Sequence, residues 1–265
     1  MARSSLHKLQ EGWRVQIRVI YALMIRELNT RFGRENIGFL WIMVEPLLFA
    51  ILVAIMWRML KGPEEHGIGI VAFVVTGYIP LTLFRHCVGR SVSVFIANGS
   101  LMYHRQIKVV DFVIVRFLIE MLGSMMAYLF IATLLIALDL FPAPSDIAMF
   151  IAGWILYCIF TLSLCLIIAP LSEMSEILEK FIPVTTYIVI PFSGTFNSAS
   201  WLAPTVREYI MWSPFVNAME LMRGGIWGEK VVSYYNVWNP IICSAVAALI
   251  GLALCRRVRR TLVVE

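Results

Sequence analysis

The chain has 265 residues, of which 60% are hydrophobic and 15% charged, with a mean hydropathy of +0.82. A soluble domain is about half apolar and about a quarter charged, so composition excludes an ordinary water-soluble fold. The net charge of +5 comes in clusters between long uncharged runs, which predicts an all-α, polytopic membrane protein with a single membrane domain.

Residues 1–36 carry seven Lys/Arg ahead of the first apolar run, too long and too charged a stretch for the n-region of a secretory signal. Within it Leu6, Leu9, Trp13, Ile17, Ile20, Met24 and Leu28 recur at steps of three or four, with Arg14 and Arg18 one turn apart on a more polar side. That spacing predicts an amphipathic helix on the cytosolic membrane surface, or one packed on a soluble partner. Arg26, Arg31 and Arg34 fall where this helix meets the membrane, as positive-inside anchors or as recruiters of an anionic lipid head.

The membrane domain is assigned to 37–255. Its first span, 37–57, has 21 residues and one charge, Glu45, and at helical rise it reaches about 30 Å. An unpaired carboxylate at that depth is costly, so Glu45 faces a polar channel, pairs with a cation, or is protonated; the alternative is a packing contact beside Pro46. The polar link 61–67 (Lys-Gly-Pro-Glu-Glu-His-Gly) ends the span. The next apolar stretch, 68–102, would be about 50 Å long as one helix, so it either breaks near Gly77 to Pro80 or emerges before Asn98 and Gly99. Arg85, His86 and Arg90 interrupt it; His86 and Arg90 share a face, while Arg85 points elsewhere. They serve as inner-leaflet anchors or line the inner mouth of a channel. Runs 121–138, 147–168, 181–196 and 238–255 bring the expected count to six.

With both termini inside, 17 of the 22 Lys/Arg fall on the cytosolic side, including Arg256, Arg257, Arg259 and Arg260 of the basic tail 256–265. That asymmetry predicts an N-in, C-in topology and accounts for the positive charge without nucleic acid. Glu173, Glu176 and Glu179 recur at three-residue steps in the loop before the fifth span, as a docking face for a partner or as a solvated face. The outer segment 198–236 carries Trp201, Tyr209, Trp212, Trp227, Tyr234 and Tyr235 and is split by Pro204 and Pro214 into pieces too short to span. It is either an aromatic belt or a pair of short re-entrant helices closing the outer mouth of a channel.

No GxxxxGK[ST] run is present to cradle a nucleotide phosphate. Neither is there a DxD, HExxH or GxSxG, and Asp111, Asp139 and Asp146 lie far apart. Five cysteines without CxxC spacing suggest neither a disulfide framework nor a zinc site. Enzyme chemistry is thus poorly supported, and transport energised by a partner is the class that remains.

The run from Arg26 through Gly33, then Gly38-Phe39-Leu40-Trp41 and Glu45-Pro46, resembles the opening of permeases of the ABC-2 polysaccharide exporter family, most of all its group 2 capsule export branch. The stretches Ala97 to Arg105, with Arg116 and Glu120, and Tyr209 to Leu221 are similar to the same family. The resemblance implies a six-span half-transporter that forms a homodimer and binds two copies of a separate ATPase subunit, which uses ATP and Mg²⁺ while this chain binds no cofactor. It further implies a lipid-linked anionic glycan as cargo, a periplasmic co-polymerase, an outer-membrane export protein and a bacterial inner-membrane location. The resemblance also places a coupling element for the ATPase at Tyr103, His104 and Arg105, while the charge pattern alone offers Glu173 and Glu176 as further contacts or as a solvated face. From the residues themselves, Arg85, His86, Arg90, Glu45, Trp41, Tyr209 and Trp212 are the candidates for lining a translocation path, and Arg26, Arg31 and Arg34 those for drawing in an anionic lipid end, each beside the anchoring or packing alternative given above. The chain departs from many relatives of the O-antigen branch at 107–111, which lacks a Phe-Pro-Arg type turn. An ABC-2 exporter of drugs or small lipids is the neighbouring reading, and a membrane-embedded glycosyltransferase the distant one. Abundant aromatic faces, on which sugar rings stack, favour the glycan.

Overall fold

The computed structural model describes residues 2–32, 38–102 and 106–262, with side chains over 10–31, 43–102 and 106–260. Its elements in chain order are α1 (Ala2–Phe32), α2 (Gly38–Lys61), β1 (Glu64–Glu65), β2 (Ile68–Gly69), α3 (Ile70–Ser91), α4 (Val109–Ala137), α5 (Ile147–Met174), α6 (Glu176–Ile188), α7 (Pro204–Ile210), α8 (Pro214–Trp227) and α9 (Trp238–Leu262). Among the described residues, five helices are long and apolar enough to cross a membrane: α2 over Met43–Lys61, α3, α4, α5, and α9 over Trp238–Arg260.

Their outward faces are apolar stripes at helical spacing: Leu48, Leu52, Ile55 and Met59 on α2, Ile151, Ile155 and Ile159 on α5, and Ile242, Val246 and Leu249 on α9 are all exposed. Polar side chains turn inward instead, the arrangement a hydrocarbon solvent favours. Where helices meet, small residues set the spacing. A Cβ on Gly153 of α5 would stand 2.7 Å from the Met222 backbone nitrogen of α8, and one on Gly251 of α9 would stand 2.8 Å from the Leu166 carbonyl carbon of α5. Helix α5 is therefore the central post, with α8 and α9 packed closely along it. The Asp146 side chain caps its start, accepting from the Met149 N–H at 3.0 Å.

Several boundaries differ from the sequence expectation. The stretch 68–102 does not break at Gly77 to Pro80. Helix α3 runs through Pro80, which removes only one ladder bond, because packing of α2, α4 and α5 buries most of its surface. The chain leaves the helix after Ser91, passes Ser93 at φ 56° and forms a 3₁₀ turn, Ile96–Leu101, so the helix stops short of Asn98 and Gly99. Helix α4 begins at Val109 instead of 121, since the charges that suggested a loop there are paired with other helices. The expected span 181–196 is not a continuous helix of spanning length: α6 has 13 residues and ends at Ile188, and a 3₁₀ turn, Ile190–Phe192, follows, with Pro191 lacking the N–H needed to extend the ladder. Between α2 and α3 the all-α plan admits one small ribbon, Glu64 opposite Gly69 and Glu65 opposite Ile68. Its corner, His66 and Gly67, takes positive φ as a tight hairpin requires.

Candidate functional site

At the end of the bundle where α1 meets α3 and α4, one carboxylate gathers cations from two other helices. Glu120 of α4 is 1% exposed, and its Oε1 lies 3.0 Å from Arg31 Nη1 of α1 and 2.7 Å from Arg90 Nε of α3. His86 Nδ1, one turn before Arg90, stands 3.6 Å from the other Glu120 oxygen. Around this pair Glu27 takes Arg31 at 2.6 Å and Arg116 at 3.3 Å, while Arg116 also donates to the Arg90 carbonyl. Arg26 donates to the Asn98 side chain at 3.0 Å, and Gln16 donates to Asp111. The charges come close to balancing, which is the condition for keeping ions out of water at tolerable cost. The cluster ties α1 to the spans.

Beside the cluster a groove of about 480 Å³ opens between α2, α3 and α6, with Glu45, Tyr78, Arg85, His86, Thr186 and Tyr187 in its walls. Glu45 is about one third exposed there, its Oε1 3.7 Å from His86 Nε2. The Arg85 guanidinium lies 4.4 Å over the Tyr187 ring, a cation–π contact that leaves its N–H edge free to meet an anion. This is a polar strip with an aromatic wall in an otherwise apolar protein.

A second buried ion pair lies in α8. Glu220 and Arg223 are both 0% exposed, with Arg223 Nη1 3.4 Å from Glu220 Oε1. Arg223 also donates to the carbonyls of Thr195 at 2.7 Å and Asn197 at 3.1 Å and lies 3.9 Å over the Phe73 ring. Glu220 accepts from the Ser198 hydroxyl and the Ala199 N–H, both at 3.1 Å. Asn217, one turn earlier, donates to the Met211 carbonyl and accepts from the Asn236 N–H, both at 2.7 Å. These three residues, at three-residue steps, staple α8 to the loops on either side of it.

Of the residues singled out from sequence, Glu45, Arg85 and His86 share the groove. His86 and Arg90 do share a face, and that face meets Glu120. Arg26 and Arg31 are held in contacts within the protein. Tyr209 and Trp212 stand exposed near the turn between α7 and α8. Glu173 lies in the last turn of α5 and Glu176 opens α6, while Glu179 accepts from the Ser93 hydroxyl at 2.7 Å. Arg34, Tyr103, His104, Arg105 and the Trp41 side chain lie outside the described residues. Sequence reasoning gave no individual role to Glu27, Glu120, Asn217, Glu220 or Arg223. The signal was present: Glu120 borders an apolar run, and Asn217, Glu220 and Arg223 mark one face of a short apolar helix.

Residues 18–227 match the ABC-2 type transporter family. The chain is similar to the capsule polysaccharide export inner-membrane protein CtrC of Neisseria meningitidis serogroup B, 37% identical over 252 residues that cover 94% of this chain and 95% of the relative. It is also similar to the capsule polysaccharide export inner-membrane protein BexB of Haemophilus influenzae, 31% identical with 91% of each chain covered. The polysialic acid transport protein KpsM of Escherichia coli is 24% identical, covering 93% of this chain and 96% of its own length.

Proposed function

Because the chain belongs to the ABC-2 type transporter family, we propose that it is the permease subunit of an ABC exporter that moves a lipid-linked capsule polysaccharide across the bacterial inner membrane. The observation that carries this reading is the end-to-end likeness to proteins named for capsule polysaccharide export. Lacking a phosphate-cradling loop, the chain draws on ATP and Mg²⁺ bound by a separate ATPase subunit. It works as a homodimer with two such subunits, N-in and C-in, with six membrane passes, the fifth made by the broken segment 176–196. The basic last turns of α3 and α9 support that orientation.

The groove at Glu45, Arg85 and Tyr187 is one wall of the glycan path, since a charged strip over an aromatic face suits a polyanionic sugar chain. The Glu120 cluster links the ATPase-facing helix α1 to α3 and α4, so displacement of α1 reaches the walls of the path. Tyr103, His104 and Arg105, with Glu173 and Glu176, make the ATPase contacts, and Arg26, Arg31 and Arg34 draw in the anionic lipid end. Helices α7 and α8, seated through Glu220 and Arg223, close the outer mouth beside Tyr209 and Trp212, where a periplasmic co-polymerase and an outer-membrane export protein take over.

Deleting the gene in its capsulated host tests the reading. Surface glycan should vanish while lipid-linked glycan accumulates inside the cell, and re-expression of the chain should restore export. Undiminished surface glycan in the deletion strain would overturn the assignment.

A further inference from the structure

A further groove is built by neither α2 nor α6. It encloses about 690 Å³ between the start of α4 and the end of α9, and its rim carries Lys108, Arg256, Arg257, Arg259 and Arg260. None of the four arginines forms an ion pair with a described residue. Cations in the last turns of α9 suit its dipole, but Lys108 sits at the cap of α4, where the helix already presents positive charge. Asp111, in the first turn of α4, is engaged with the Lys108 backbone N–H at 2.8 Å and with Gln16. Five cations and a helix N-terminus thus converge on one space with no acidic side chain on its rim. Below them the groove is apolar: Leu249, Leu252, Ala253, Arg256 and Arg260 follow each other at helical spacing along one face of α9, so a greasy floor leads directly up to the charges.

We propose that this groove holds an anionic phospholipid of the surrounding bilayer, its phosphate among Lys108, Arg256 and Arg260 and an acyl chain along Leu249 and Leu252. Charge complementarity selects the phosphate, and the exposed apolar face of α9 selects a ligand with hydrocarbon attached. Occupancy cancels the repulsion among the arginines and the clash of Lys108 with the α4 dipole, so the lipid clamps α4 to α9. The site needs no glycan and stands apart from the transport reading.

Protein purified in mild detergent from a host without capsule genes should carry phosphatidylglycerol or cardiolipin by native mass spectrometry. After delipidation, added phosphatidylglycerol should raise its melting temperature while phosphatidylcholine does not. Arg256→Gln with Arg260→Gln should weaken the phosphatidylglycerol effect about twenty-five-fold, at about fivefold per cation. Leu252→Trp, which keeps every charge and hence the topology, should abolish it by filling the floor. The proposal is overturned if phosphatidylcholine stabilises equally, if inorganic phosphate alone matches phosphatidylglycerol, or if Leu252→Trp binds normally. Lipid retained only from a host making lipid-linked glycan would also overturn it, by assigning the groove to the cargo.

Discussion

A buried charge is worth most where its partners cannot be replaced by water, and by that measure Glu120 and Glu45 are opposites. Glu120 is enclosed and holds two arginines from different helices, at 3.0 and 2.7 Å, whereas Glu45 lies in an open groove 3.7 Å from a histidine, beyond hydrogen-bond distance. Removing one member of a buried network leaves the others unpaired and costs about 3 to 5 kcal/mol; Arg90 is partly exposed, which places Glu120→Gln at the lower end. Glu45→Gln should cost under about 1 kcal/mol, as an exposed pair does. Thermal unfolding in detergent should therefore show a clear drop for Glu120→Gln and almost none for Glu45→Gln. Similar shifts in the two variants would mean that Glu120 is not the hub. Export should follow a different order, because Glu45 lines the proposed path.

At the scale of helices, the decisive feature is how closely α8 lies on α5. A Cβ at Gly153 would stand 2.7 Å from the Met222 backbone and 2.8 Å from the Ala218 carbonyl, whereas one at Gly89 of α3 meets nothing within 4 Å. Gly153→Ala must push α8 away and should cost about 1 to 3 kcal/mol, while Gly89→Ala should be neutral or stabilising by up to about 1 kcal/mol. Limited proteolysis of the 195–236 segment reports the difference, with faster cleavage expected only for Gly153→Ala; equal cleavage would contradict tight seating of α8. Sequence reasoning found the start of α5 at Ile147 and of α9 at Trp238, because the apolar runs beginning there are long and uninterrupted. It also found the split of 198–236 at Pro204 and Pro214, which become the first residues of α7 and α8. It missed the first turns of α4, where Asp111, Arg116 and Glu120 look like loop residues to any hydropathy measure. Their partners Gln16, Glu27, Arg31 and Arg90 lie on other elements, and a linear pattern does not carry such pairing. Likewise the seat of α8 was invisible, since Gly153, Gly225 and the Glu220–Arg223 pair acquire meaning only when α5 and the 195–199 loop come alongside.

Considered as a whole, the bundle has two kinds of outer wall. The faces of α5 and α9 that bear Ile151, Ile155, Ile159 and Val246 are apolar and suited to lipid. The wall formed by α2 and α6 is apolar at Leu48, Leu52, Phe181 and Val184 but is cleft by the groove holding Glu45, Arg85 and His86. A charge left facing hydrocarbon costs on the order of 2.5 to 3.5 kcal/mol, so a groove with two fixed charges and a histidine needs a cover other than lipid. In the proposed homodimer a second copy related by a two-fold axis would supply one, because the same face would then meet itself and two polar grooves would close into a single water-filled passage flanked by apolar packing. Leu52, exposed on α2, lies on that wall, whereas Val246 on α9 lies on a lipid-suited face. With the five native cysteines replaced, Leu52→Cys in native membranes should yield a disulfide-linked dimer on mild oxidation, and Val246→Cys should remain monomeric on denaturing gels. Crosslinking at Val246 without crosslinking at Leu52 would place the interface on α9 and leave the groove without its cover, and the two-copy passage would have to be abandoned.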